Sequence, residues 1–207
     1  MSFLEESWEE REEKIYKEIF FDTGPGIFLL TNETFDMLDA ETIDPRWLHH
    51  GVFECPPVKN RQTWAYVTSG MSNPRESDSP EQISGLGVEF IMETKEKETW
   101  AIEVLHTLMA YNLLLSAGKM GEFPPLNYGH RVPFTLTENI QTMMFTYPVN
   151  FINNFSIKSG KVDLLQVIGI TPSELEFAKK TSSDDLREQI LLKTGELTTG
   201  KVRSSVV

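Results

Sequence analysis

The sequence predicts an α+β fold, a mixed and mainly antiparallel β-sheet flanked by helices. Three observations carry this. "QTWAYVTSG" and "GLGVEFIMET" alternate with the period of two that strands require. The stretch from about Glu98 to Ser116 repeats apolar residues at helical spacing. The order of the elements places helices around one sheet, and no internal repeat or linker interrupts it, so residues 1–207 read as a single domain.

Taken in order, Leu4, Trp8, Ile15 and Ile19 fall at helical spacing with Arg11 in the same row. This predicts a helix over 4–20 with one apolar stripe facing the body and a solvated glutamate face. "DTGPGIFLLTN" reads as a turn and a short apolar strand, and "DAETIDPRW" as a loop or short helix broken at Pro45. "HHGVFECPP" reads as a strand closed by Pro56 and Pro57, because proline cannot donate to a ladder.

In the next strand Trp64, Tyr66 and Thr68 share one face, with Ala65, Val67 and Ser69 on the other. The strand after it puts Val88, Phe90 and Met92 on one face; Glu89, Ile91 and Glu93 make the other partly polar. In the main helix Ala101, Val104, Leu105, Leu108, Tyr111 and Leu115 form the buried stripe, and Gly118 and Gly121 end it. "GKMGEFPPLNYGHRVPF" is expected to be an irregular loop. "PVNFINNFSI" and "KVDLLQVIGI" read as strands joined near Ser159-Gly160, the second central in the sheet because it is almost continuously apolar.

"TPSELEFAKK" opens a helix by stated rules: Thr171 caps, Pro172 suits the first helical position, and Glu174 closes the capping box. A last helix runs from about Asp184 to Lys193 with Leu186, Ile190 and Leu191 inward and Gly195 at its end, and "TTGKVRSSVV" is a tail or an edge strand.

Composition narrows the function classes. Acidic residues number 31 against 19 basic ones, a net charge of -12. That field repels phosphate backbones and anionic lipid surfaces, so neither nucleic acid nor membrane is an expected partner, and a basic protein or peptide is. Cys55 is the single cysteine, which suggests a reducing compartment. The acidic N-terminus has no signal-peptide core, and the most apolar run, "AIEVLHTLMAYNLLLSA", is interrupted by Glu103 and His106, so a cytoplasmic protein is expected.

No reaction centre emerges. His49 and His50, on one strand, would face opposite ways and cannot grip one ion with Cys55, and no CxxC or HExxH pattern exists, so no metal or other cofactor is expected. Ser69 stands at a strand end but lacks the flanking glycines of a nucleophile elbow, having Val67 and Met71 instead. "SGLG", Ser84 to Gly87, opens a strand and not a helix, so it lacks the dipole that holds phosphate. Glu103 and His106 can share a hydrogen bond at i, i+3, and His130 lies in a long loop. These two histidines define an alternative reading, an enzyme with an acid/base site. A second alternative is a self-associating structural protein pairing through an edge near Gly160 or the tail.

Several motifs coincide in order: "HHGVFECPPVKNRQTWAYVTSGMSNP", "SGLGVEFIMET", "WAIEVLHTLMAYNLL" and "DLLQVIGITPSELEFAKK". Together they resemble the suppressor of fused domain family, over roughly residues 48–195. The resemblance implies a mixed sheet domain without catalysis. In the eukaryotic member, a cytoplasmic and nuclear regulator in Hedgehog signalling, two domains clamp a short segment of a zinc-finger transcription factor, partly by strand addition. Stand-alone bacterial domains of this type are thought to include immunity proteins that neutralise toxins.

This sequence matches the first of those two domains only. The segment from Met71 to Ser84 aligns with the ligand-facing loop of the family. Arg75 stands where that loop carries a peptide-contacting tyrosine, and Glu81 matches an acidic contact three residues before Ser84-Gly85. The resemblance thus implies partner binding at Arg75, Glu81, Ser84, Gly85 and Gly87. The leading expectation is a non-enzymatic, cytoplasmic protein-binding module, an immunity protein whose acidity steers it to a basic toxin.

Overall fold

The computed structural model describes residues 2–74 and 76–207. Its centre is an eight-stranded mixed sheet. The strands are β1 (Ile27–Leu29), β2 (Gly51–Cys55), β3 (Trp64–Ser69), β4 (Ile83–Thr94), β5 (Arg131–Pro133), β6 (Thr142–Thr146), β7 (Asn154–Ile157) and β8 (Gly160–Ile170). Their order is β1-β2-β3-β4-β8-β6-β5, with β7 paired to β8. Among the described residues only the β4–β8 pairing is parallel; the other strand pairs are antiparallel. The α+β reading therefore holds, and β8 lies centrally, as its apolar run requires.

Helices cover both faces. On one, α4 (Thr99–Ser116) packs on Val52, Tyr66, Phe90, Met92, Phe145, Leu165 and Val167. Its predicted stripe is inward, and Trp100, Ile102, Met109, Ala110 and Leu114 are buried as well. The helix is enclosed nearly all round because a short helix, α3 (Asn32–Asp36), a 3-10 turn and irregular segments bring Phe35, Trp47, Leu30, Leu126 and Ile140 against it. That use accounts for the Gly- and Pro-rich stretch after α4: the chain must turn often to cover a helix. The stretch is not wholly irregular. It ends in β5, which pairs with β6, and β6 itself has no clear signature in "TMMFT".

On the opposite face, α5 (Pro172–Lys180) and α6 (Ser183–Thr194) cover Met144, Ile168 and Ile170. The capping box at Thr171 is formed in both directions. Glu174 does more than cap: its Oε1 accepts from Arg203 Nη1 at 2.7 Å and from the Val206 amide at 3.1 Å. It thereby ties down the C-terminal tail, which runs as an irregular strap and not as an edge strand. Thr171→Ala is expected to lower stability by about 1 kcal/mol, the usual cost of a lost N-cap, read as a shifted urea midpoint with unchanged slope.

The rest of that face is covered by the N-terminal helix, built as α1 (Phe3–Glu9), a π-helical turn (Glu10–Ile15) and α2 (Tyr16–Phe20). Its fully buried residues are Ser7, Arg11, Tyr16 and Phe20. The five-residue step from Arg11 to Tyr16 matches the i to i+5 repeat of a π turn. The expected stripe of Leu4, Trp8, Ile15 and Ile19 is thus only partly correct. Leu4, Ile15 and Ile19 flank the contact, while Trp8 stays 48% exposed. Tyr16 and Phe20 pack on Phe53, Ala65, Val67, Ile91 and Phe155. Cys55 lies in the same cluster, where burial pushes its thiol up to about 12. Among the described residues no helix is long and apolar enough to cross a membrane.

Candidate partner-binding site

The end of β3 is where the sheet opens. β3 pairs with β4 only as far as Val67↔Ile91. Beyond it Thr68 fills the ladder with its side chain, its Oγ1 accepting the Phe90 amide at 2.8 Å. Gly70 then takes φ 135°, a region open to glycine alone, and the chain leaves the sheet.

This departure rests on a buried polar base. Glu89 is fully buried and accepts four hydrogen bonds from the described residues: Thr68 Oγ1 at 2.6 Å, Gly70 N at 3.0 Å, Ser72 N at 2.9 Å and Ser72 Oγ at 2.7 Å. Arg11, also fully buried, lies 4.0 Å from it. Its guanidinium donates to Ser69 Oγ at 2.7 Å, Ser72 Oγ at 3.0 Å, Asn73 Oδ1 at 2.8 Å and Glu12 Oε1 at 3.3 Å. Ser69 Oγ donates to Glu12 as well. The polar side of β4 that alternation predicted is therefore not a wet face. It is a desolvated site in which each charge has opposite charges and dipoles around it. Glu93, on the same side and also fully buried, is held by Thr63, Asn150 and Gln166.

The far end of the loop is fixed just as firmly. Ile83 pairs with Lys161 and Val88 with Asp163, so three extra residues of β4 bulge out between them. The bulge is Ser84 to Gly87 with its neighbours. Ser84 is buried, and its Oγ bonds the Ser72 carbonyl and Ser159 Oγ, both at 2.6 Å. Gly85 takes φ 55° against the carbonyls of Met71 and Asn73, where a Cβ would come within 2.7 and 2.5 Å. Gly87 takes φ 70° beside the Ile83 side chain.

Between these anchors lies a cleft of about 340 Å³. Trp47, Met71, Pro74, Ile83, Leu86 and Leu113 give it an apolar lining, and Asp44, Arg46, Glu76 and Glu81 line it as well. Ile83 is 51% exposed there. Of the expected site residues, Glu81 and Gly85 line the cleft, Ser84 lies buried beneath it and Gly87 closes the bulge. Arg75 lies outside the described residues. Trp47, His50 and Leu113 were not expected, since they reach the cleft from a 3-10 turn (Pro45–His49), the residue after it and α4.

The histidines do not converge. His49 ends that 3-10 turn, and His50 is buried with its Nδ1 2.9 Å from the Trp47 carbonyl, so neither has the strand setting expected for the pair. His130 Nδ1 accepts the Asn127 amide within its own loop, beside the edge strand β5. His106 Nε2 lies 2.8 Å from the Phe28 carbonyl of the opposite edge strand, β1. Burial holds the His106 pKa below its ordinary 6.5, outweighing the Phe28 carbonyl and the Glu103 charge, which raise it. The folded protein then binds fewer protons than the unfolded chain as pH falls from 6.5. The contribution of His106 is complete above that pH and is lost as pH drops through its depressed value. Chemical denaturation at pH 5 to 8 should show this slope, flattened in His106→Gln.

Nor does Gly160 offer a free edge. A Cβ there would meet the backbone of Ile83 at 2.6 Å and of Glu81 at 2.8 Å. The hairpin turn is packed against the base of the loop.

This arrangement is one of a sheet presenting an irregular margin that is held by buried hydrogen bonds at both ends. Residues 46–203 match the family described as suppressor of fused protein (SUFU), and the chain belongs to that family. Solved structures are similar in fold. A chain of the Sufu–Fu complex crystal structure matches with a TM-score of 0.68 at 18% identity, over 97% of this chain and 92% of that one. A suppressor of fused homologue from Neisseria gonorrhoeae gives 0.60 at 18% identity, over 88% and 87%. Drosophila Suppressor of Fused gives 0.58 at 18% identity over 76% of this chain, which spans 42% of the length of that protein. No curated protein matches the chain in sequence.

Proposed function

We propose that residues 1–207 form a single, non-enzymatic, cytoplasmic binding domain that captures a basic protein in the cleft bounded by residues 71–87. The observation that carries this reading is the coincidence of an exposed apolar cleft with a rigid, buried base. Both ends of the loop are fixed by Arg11, Glu89, Ser84 and Gly85, so little ordering remains to oppose association. Asp44, Glu76 and Glu81 along the cleft outnumber Arg46, which pairs with the first two, and with the net charge of -12 they favour a basic partner and speed its encounter. In this reading Ile83 is the apolar anchor and Glu81, with Arg75, sets charge preference. Ser84, Gly85 and Gly87 shape the bulge. Family membership supports it, one solved relative being a chain of a Sufu–Fu complex. The finer proposal is that the partner is a toxin and the chain its immunity protein.

Affinity purification from the native cell, with wild-type protein beside an Ile83→Asp, Glu81→Lys variant, tests this. A basic protein is expected with the wild type, at least about ten-fold depleted with the variant. Recovery of no partner, or equal recovery with both, contradicts it. Co-expression with the recovered protein then tests the toxin reading: growth must depend on this chain.

A further inference from the structure

The displaced stripe of the N-terminal helix leaves a second groove, separate in its lining from the cleft apart from Asn73. It has a volume of about 300 Å³ and is lined by Leu4 and Trp8 of α1, Ile27 and Leu29 of β1, and Glu5 and Glu12. Trp8 and Leu29 are 48% and 47% exposed. Two large apolar side chains half exposed on one groove cost hydration energy unless something covers them.

The groove lies along an open edge. β1 ends the sheet order and, among the described residues, pairs only with β2. The Leu30 amide donates to the His50 carbonyl at 2.8 Å, so by antiparallel alternation Phe28 also faces β2 with its main chain. The amides and carbonyls of Ile27 and Leu29 then point away from the sheet. Their side chains stand on the groove side, beside Trp8. A strand added there would gain main-chain hydrogen bonds and place alternate side chains on Trp8 and Leu29.

Charge selects the occupant. Glu5, Glu9, Glu12 and Glu13 surround Trp8. A second copy of this chain would bring the same glutamates and its own charge of -12 to the contact. We propose that β1 and the Trp8 groove bind an extended basic segment of a partner protein by strand addition, with apolar residues alternating with lysine or arginine. This surface is independent of the cleft, so either proposal can fail alone.

The test is an NMR titration of the full chain with an acetylated heptapeptide alternating lysine and valine, beside its glutamate–valine counterpart. The lysine peptide should shift the amides of Ile27 to Leu29 and the Trp8 indole. Leu29→Lys, at an exposed position that leaves the fold intact, should weaken binding about ten-fold, and Glu9→Lys about three-fold. Equal binding of the glutamate peptide, no shift at all, or shifts confined to cleft residues such as Glu81 and Leu86 overturns the proposal. So does a dimer in light scattering that Leu29→Lys dissociates, because a second copy would then be the occupant.

Discussion

Arg11→Ala should lower the unfolding free energy by about 3–5 kcal/mol, the range found when one member of a buried ionic network is removed. Arg11 is fully buried and reaches Ser69, Ser72, Asn73 and Glu12, with Glu89 at 4.0 Å. Deleting it leaves Glu89 without the buried cation 4.0 Å away, and it removes the polar link between the π-helical turn and the end of β3. Guanidinium denaturation with tryptophan fluorescence measures the loss. Arg11→Met tests the cause: if shape alone mattered, it would restore most of the stability, whereas the network predicts a similar loss. A loss below about 1 kcal/mol in both variants would show that the network carries little.

Gly70→Ala should cost a comparable amount, about 3–5 kcal/mol, by a different route. Gly70 holds φ 135°, and a Cβ there would lie 1.9 Å from Cδ2 of His50, itself buried. Either the backbone leaves that conformation and breaks the Gly70 amide bond to Glu89, or the His50 ring moves from the Trp47 carbonyl. Both routes distort the cleft, of which His50, Trp47 and Gly70 are walls. The variant should therefore lose partner capture even at temperatures where it is folded. Thermal unfolding and capture, measured on one preparation, separate the two effects.

Much of this fold is legible in the sequence, and the gaps have physical causes. Alternation marks β3 and β4 because each strand puts different residues on two covered faces. The capping box at Thr171 is legible because its rule is local. After Arg11 the N-terminal stripe is misread by one position, Tyr16 and Phe20 standing in place of Ile15 and Ile19, because a π turn shifts the helix phase, and nothing in "EREEKI" announces it. Glu89 and Glu93 read only as a partly polar face because alternation reports polarity and not burial. Arg11, arriving from a distant helix, joins the hydrogen bonds of Thr68, Gly70 and Ser72 in making the interior site at Glu89 tolerable. β5 and β6 are lost among Gly and Pro signals and methionines, whose strand preference is weak. Of the cleft, Glu81 and Gly85 came from the family resemblance, while Trp47, His50 and Leu113 are joined to them only by folding.

We propose that the margin between residues 71 and 87 is where a protein partner binds. Hydrogen–deuterium exchange of the chain, free and bound to the protein it captures, tests this most directly. Slowed exchange is expected across residues 71–87 and at Trp47 on binding, with the α5 and α6 amides unchanged. Protection centred on α5, α6 or the β5 edge, with residues 71–87 exchanging as in the free chain, would contradict it.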